Sequence, residues 1–280
     1  METANPNITT SLMGIHRHRL NLDGRGITTL VGLHGCPLHC RYCLNNRCHS
    51  ADGLWRKMSV QELYERVKCD DLYFRATGGG ITFGGGEPAL HSEFIEAFVS
   101  CAGHEWNYTM ETSLNVPQED IARLVDVVDD FIIDIKTLDE TTYKLYTGGE
   151  LEQVVENLNY LIEHEKSAHM TVRVPLIPGY NSEEDVKQTL EKLQDCAIGK
   201  VHSFNYVTTP LPKSSVATTA GKTKCEILKK VRSIIAQANH VAYTPTPCTH
   251  TVCSSGHCPV CEKELRMLTE ELSQRDEIII

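Results

Sequence analysis

Leu33-His34-Gly35-Cys36-Pro37-Leu38-His39-Cys40-Arg41-Tyr42-Cys43 is the stretch from which the rest of the chain can be read. It carries three thiols within eight residues, spaced C-x3-C-x2-C. That spacing follows neither a helix face nor a strand alternation, so it predicts a loop wrapped around something. Thiolates are soft ligands that suit iron–sulfur clusters and zinc. On a four-iron cluster, three cysteines leave one iron without a protein ligand, where a small molecule could bind and accept an electron. A tetrahedral zinc would need a fourth ligand, for which His39, His49 or Cys48 could serve.

Outward from that loop, short β-rich runs alternate with amphipathic helical patterns. Residues 26–31 predict a strand that delivers the cysteines from its C-terminal end. Ser59 and Glu62 form a capping box for a helix through Val60, Leu63 and Val67. Ile81-Thr82-Phe83 predicts a strand running into Gly84-Gly85-Gly86-Glu87-Pro88, after which Ser92 is expected to cap a helix. Residues 108–112 predict the next strand, and Pro117 stands at the first turn of a helix carrying Ile121, Leu124, Val125 and Val128. Residues 130–136, 170–174 and 202–207 predict three more strands. Between them lie a helical stripe at Leu151, Val154, Val155, Leu158, Leu161 and Ile162 and a helix start at Ser182. Ile227, Leu228, Val231, Ile234 and Ile235 mark the last barrel helix, and residues 241–243 a short closing strand.

About six βα units in sequence imply an α/β fold with a parallel sheet, at this length a partial or full barrel. In such folds function collects at the C-terminal ends of the strands. The cysteine loop, the glycine run, Glu111-Thr112 and Asp134-Ile135-Lys136 all fall at such ends.

Composition narrows the function. The 280 residues carry a formal net charge of −10 and no long basic run, which argues against nucleic-acid backbones and anionic membranes as partners. The polar start Met1-Glu2-Thr3-Ala4-Asn5 predicts no secretory signal, and no apolar run approaches a membrane span. The expectation is a cytoplasmic protein. Seven of the twelve cysteines sit in two tight clusters, which reads as metal binding rather than disulfides. The others (Cys48, Cys69, Cys101, Cys196 and Cys225) read as small core or surface residues.

Taken together, these residues resemble the radical S-adenosylmethionine superfamily. Cys36, Cys40 and Cys43 match its C-x3-C-x-aromatic-x-C loop, with Tyr42 at the aromatic position, and Gly85-Gly86-Glu87-Pro88 matches its Gly-Gly-Glu-Pro motif. The resemblance implies a partial (βα)6 barrel over residues 1–243. It implies a [4Fe-4S] cluster with one open iron on Cys36, Cys40 and Cys43, and S-adenosylmethionine bound at that iron. Reduction would then cleave S-adenosylmethionine to methionine and a 5′-deoxyadenosyl radical. Gly85 and Gly86 would let the backbone approach the methionine end, and Glu87 would accept from its ammonium.

The likeness is nearest to glycyl-radical-enzyme activating enzymes. It includes Asp23-Gly24-Arg25-Gly26, Thr77-Gly78-Gly79-Gly80, Asp134-Ile135-Lys136, Tyr146-Thr147-Gly148-Gly149 and Arg173 before Pro175-Leu176-Ile177-Pro178-Gly179. It implies that Asp134, Lys136 and Arg173 contact S-adenosylmethionine, with Glu111 beside them, and that Asp23 sits near an incoming substrate loop. The implied partners are a loop of a glycyl-radical enzyme and an electron donor of the flavodoxin or ferredoxin type. Two departures stand out. Gly84 replaces the usual serine, and Glu111-Thr112-Ser113-Leu114 replaces an Asp-Thr-Asn-Gly run.

After Thr244-Pro245-Thr246-Pro247, the last stretch (residues 244–280) reads as a small appendage. It carries Cys248, Cys253, Cys258 and Cys261 before a charged helix over residues 262–275. Four cysteines satisfy a second iron–sulfur cluster, the preferred reading here, or a structural zinc. Two other functions compete with glycine activation. One is radical epimerisation or crosslinking of a ribosomally made peptide, and the other is a non-catalytic metal-binding scaffold.

Overall fold

The computed structural model describes residues 7–194, 196, 198–208, 216–247, 258–275 and 278–280, with side chains of the last long helix described from residue 221. Eight strands form one sheet: β1 Thr9–Leu20, β2 Ile27–Leu33, β3 Arg56–Ser59, β4 Gly80–Gly85, β5 Asn107–Thr112, β6 Asp130–Asp134, β7 Met170–Leu176 and β8 Lys200–Asn205. Their order is β3-β1-β2-β4-β5-β6-β7-β8. The six strands from β2 to β8 in that order run parallel, while β1 pairs antiparallel with both β2 and β3. Among the described residues β8 does not return to pair with the other edge, so the sheet stays open. The six-stranded parallel core is the expected one; the antiparallel flap of β1 and β3 was not foreseen.

The helices are α1 Val60–Val67, α2 Asp71–Thr77, α3 Ser92–Ala102, α4 Gln118–Leu124, α5 Glu140–Thr147, α6 Leu151–Glu163, α7 Glu183–Gln194, α8 Val216–Ala238 and α9 Pro259–Leu272. The predicted capping box forms: the Glu62 amide donates to Ser59 Oγ at 3.2 Å and the Ser59 amide to Glu62 Oε2 at 2.8 Å. Ser92 does not cap α3. It lies inside the helix, with His91 at the cap position, and its hydroxyl donates to Asp120 Oδ1 at 2.6 Å. Residues 241–243 form no strand either. Val241 and Tyr243 instead pack against a second apolar cluster. None of the described helices is long and apolar enough to cross a membrane.

Two cores result. The larger one lies between the sheet and helices α1, α3, α4, α6 and α7, and includes Val31, Phe83, Met110, Phe131, Ile133 and Val172. Strand β2 is buried along almost its whole length, as expected for a central parallel strand covered on both faces. The second core joins Ile27, Leu72 and Tyr73 to Leu228 and Ile235 of α8 and Leu265, Leu268 and Leu272 of α9. The C-terminal helix is thereby docked at the end of the sheet opposite the cysteine loop.

Candidate active site

Strand β2 ends at Leu33, and the chain turns directly into the cysteine loop. Backbone bonds fix that loop from several sides: the Gly35 amide donates to Cys48 O (3.0 Å), His39 to Thr147 O (2.7 Å) and Arg41 to Tyr146 O (3.1 Å). Tyr42 packs its ring against Tyr146 and Tyr180, with centroids 6.1 and 5.8 Å away. The glycine turn after β4 closes against the same loop. The Gly86 amide donates to Leu33 O and the Glu87 amide to Gly35 O, both at 2.8 Å. Gly85 has φ +95°, and a Cβ on Gly86 would lie 2.1 Å from Gly35 O. Only glycine allows this approach.

Cys36, Cys40, Cys43, Gly85, Gly86, Glu87, Glu111, Asp134, Lys136 and Arg173 line one cavity of about 330 Å³. A larger cleft of about 610 Å³ beside β1 contains none of these residues, so the motif chemistry and not size identifies the site. Sheet register builds its charged wall. Arg173 lies directly across from Asp134 in the β6–β7 pair, so the two side chains leave the same face. Arg173 Nε donates to Asp134 Oδ1 at 2.7 Å, and its Nη1 reaches Glu111 Oε1 at 3.1 Å. Lys136 Nζ holds Asp134 Oδ2 at 3.0 Å.

Burial works against the charged Asp134 carboxylate, but Lys136 and Arg173 outweigh it and keep it below the usual carboxylate range. Glu111 is pushed up, by burial first, with Arg173 opposing. Burial pulls Lys136 down, yet Asp134 and Cys40 together hold it above its ordinary value.

The thiols are also desolvated. Burial pushes Cys36 up to about 12 and raises Cys40 despite the opposing charge of Lys136. Three soft donors facing a cavity with a lysine at its side fit an iron–sulfur cluster, whose binding would supply the positive charge the thiolates lack.

Glu87 belongs to the cavity wall, but its carboxylate is taken up by protein donors. It is buried, with Oε1 accepting from Thr112 Oγ1 (2.7 Å) and the Ala89 amide (3.2 Å), and Oε2 from the Ser113 amide (2.9 Å) and hydroxyl (2.6 Å). Burial nonetheless raises its pKa above the usual value. Glu87→Ala should therefore destabilise the metal-free protein by about 3 kcal/mol, because several buried donors lose their acceptor. An unchanged melting temperature together with weaker S-adenosylmethionine binding would show that the carboxylate serves the ligand instead.

Asp23 stands apart from the rim, in the turn before β2. It is buried and accepts from Arg19 Nε (2.6 Å) and Thr28 Oγ1 (2.8 Å). Cys248 and Cys253 lie outside the described residues. Cys258 and Cys261 begin α9, away from the cavity. His39 and His49 stack on each other at 4.2 Å, and neither lines the cavity.

Cys48, one of the three candidates for a fourth ligand, lines the cavity, and sequence reasoning missed Asn45, whose side-chain amide donates to Gly85 O at 2.9 Å, and Phe204 and Tyr206. The Tyr206 hydroxyl donates to Tyr42 O at 3.1 Å, and its ring lies 6.0 Å from Lys136 Nζ. The signal available was the aromatic pair at alternate positions at the end of β8. Gly84 is also explained: a Cβ there would stand 3.1 Å from Glu111 Oε2 and 3.2 Å from Leu30 Cδ1.

Residues 30–193 match the Radical SAM superfamily. Pyruvate formate-lyase 2-activating enzyme of Escherichia coli (strain K12) is 30% identical over 229 residues, covering 68% of this chain and 75% of the relative. The (2S)-3-sulfopropanediol sulfolyase activating enzyme of Bilophila wadsworthia (strain 3_1_6) is 28% identical over 251 residues, covering 68% and 83%. A solved domain of pyruvate-formate lyase-activating enzyme from Bacteroides vulgatus ATCC 8482 is 25% identical with a TM-score of 0.41, covering 55% of this chain and 94% of that one. A match over more than half of the chain, spanning the loop and the turn that build the cavity, makes this protein a member of the radical S-adenosylmethionine superfamily.

Proposed function

We propose that this enzyme activates a glycyl-radical enzyme by removing a hydrogen atom from the α-carbon of one glycine in a loop of that partner. The observation that carries the reading is the convergence of Cys36, Cys40 and Cys43 with Glu111, Asp134, Lys136 and Arg173 on one cavity. Its relatives named as activating enzymes support the choice of partner. The three cysteines would hold the cluster, which supplies one electron to split S-adenosylmethionine into methionine and a 5′-deoxyadenosyl radical.

The chain's own residues bind and orient. Lys136 and Arg173 offer cations to the carboxylate of the methionine end, and Asp134 and Glu111 offer acceptors to its ammonium. Because these four already pair with one another, their geometry is set before the ligand arrives and little reorganisation is needed. Gly85 and Gly86 let the glycine turn close against the cysteine loop, and Phe204 and Tyr206 shield the cavity from solvent. Asp23 supports the turn before β2 through Arg19 and Thr28. The reading places the reaction in an anaerobic cytoplasm, with a flavodoxin- or ferredoxin-type donor. Residues 244–280 form an appendage whose cysteines hold a second metal group, an iron–sulfur cluster or zinc.

The test combines anaerobic protein, reductant, S-adenosylmethionine and a candidate glycyl-radical enzyme from the same organism. 5′-Deoxyadenosine should form, and the partner should acquire a glycyl-radical resonance that requires its glycine. Cleavage with no radical on any such partner, but with a modified precursor peptide, would transfer the assignment to peptide modification.

A further inference from the structure

Cys225 carries no motif in the sequence, standing well before the four tail cysteines. In the fold it meets one of them, Cys261. Its Sγ lies 3.5 Å from Cys261 Sγ, and both residues are buried where α8 and α9 pack together. Cys258 stands at the N-cap of α9, three residues before Cys261. Two thiols from two helices therefore meet at one end of the second core, with a third close by along the chain.

We propose that Cys225, Cys258 and Cys261 supply three of the four ligands of a single tetrahedral metal ion of the zinc type, which clamps α9 onto α8. The proposal rests on the reading of the tail as a metal site and decides its chemistry and ligands. Spacing separates the two kinds of metal group. Two thiolates sharing one zinc at ~2.3 Å each stand about 3.8 Å apart, close to the 3.5 Å between Cys225 and Cys261. In a four-iron cluster each cysteine binds a different iron at a different corner, so its sulfurs are held considerably farther apart. Cys258 and Cys261 also have the C-x2-C spacing with which one chain segment gives two ligands to one ion.

Among the described residues no three metal-ligating side chains are already gathered into a cage. The ion would thus draw Cys258 inward to join a pair already in place. Each thiol would release its proton to solvent as its metal–sulfur bond forms, with no change of oxidation state. The N-terminus of α9 favours the resulting negative charge.

The site has a structural purpose. Beyond the thiols, α9 is held by Leu265, Leu268 and Leu272 and by Glu264, which accepts from Arg232 Nη2 at 2.8 Å and from the Tyr243 hydroxyl at 2.7 Å. So few apolar anchors give a short appendage little stability of its own, and a metal staple compensates for that.

The full chain, purified anaerobically, should contain about one zinc and about four irons. Cobalt(II) titrated into zinc-stripped protein should give the intense visible bands of a tetrahedral thiolate site. Cys225→Ala should weaken cobalt binding at least about tenfold and lose the zinc, while Cys196→Ala keeps both. Should Cys225→Ala fail to fold, the wild-type cobalt spectrum still decides. About eight irons without zinc would overturn the proposal, as would unaltered cobalt affinity in Cys225→Ala or a Cys225–Cys261 disulfide in alkylated anaerobic protein. Loss of 5′-deoxyadenosine formation with zinc retained would instead count against the rim reading alone.

Discussion

Replacing Cys40 with alanine is expected to reduce S-adenosylmethionine cleavage to background. The Cys40 thiol lies within the field of Lys136, at the charged side of the cavity. Three thiolates are the minimum that hold a four-iron cluster while leaving one iron open. With two, the cluster is lost or rearranged, and no other group in the cavity can deliver an electron. The side chains that bind the ligand stay in place, because Asp134, Lys136 and Arg173 are held by one another and by the β6–β7 register. The variant should thus lose the cluster's visible absorption and 5′-deoxyadenosine formation while remaining folded. Cys36→Ala and Cys43→Ala should do the same, and Cys101→Ala, a cysteine on α3, should not. Normal 5′-deoxyadenosine yield from Cys40→Ala after anaerobic reconstitution would remove the radical assignment.

The features legible in the sequence are those that local structure fixes. Cys36, Cys40 and Cys43 must share a loop whatever the rest of the chain does, and Gly85-Gly86 needs only a strand in front of it. Asp134 and Lys136 were readable as a strand end on the rim of a parallel fold, whereas Arg173 came from the family resemblance alone. What was not legible depends on contacts between distant segments. Glu87 has a suitable side chain for an ammonium, but only the fold brings Thr112 and Ser113 against it. Strand β1 is broken by irregular pairing between Leu12 and Gly14 and between His16 and Arg19, so no clean alternation announces it. Cys225 pairs with Cys261 across a helix–helix interface, and neither periodicity nor spacing encodes such a meeting. Tyr243 looked like part of a strand because of its neighbours. It is instead a hydrogen-bonding partner of Arg232 and Glu264.

The largest expected loss of stability comes from Asp70, a residue that no motif contains. Its carboxylate is fully buried between α1 and α2 and takes both arms of Arg17, with Nε at 2.7 Å and Nη2 at 2.6 Å, as well as His18 Nε2 at 2.9 Å. Arg17 reaches on to Glu262 Oε1 at 2.8 Å, so one buried acid ties β1 to α2 and, through Arg17, to α9. Burial opposes its ionisation, but the hydrogen bonds and charges of Arg17 and His18 hold it down to about 2. A carboxylate depressed in this way contributes stability that is fully present above its unfolded pKa near 4. That contribution, about 2 kcal/mol, is lost as pH falls through the folded value. Asp70→Asn keeps the shape but strands Arg17 without its buried counter-charge, and breaking such a pair costs about 3–5 kcal/mol. Denaturant unfolding at neutral pH should show that loss. At pH ~3 the gap between wild type and variant should be about 1 kcal/mol smaller, since the wild type has by then surrendered part of the same contribution. Asp70 is absent from the rim cavity, so the folded variant should still cleave S-adenosylmethionine. A loss below about 1 kcal/mol that does not change with pH would mean that solvent screens the pair and that the apolar contacts of α9 alone hold the C-terminal helix in place.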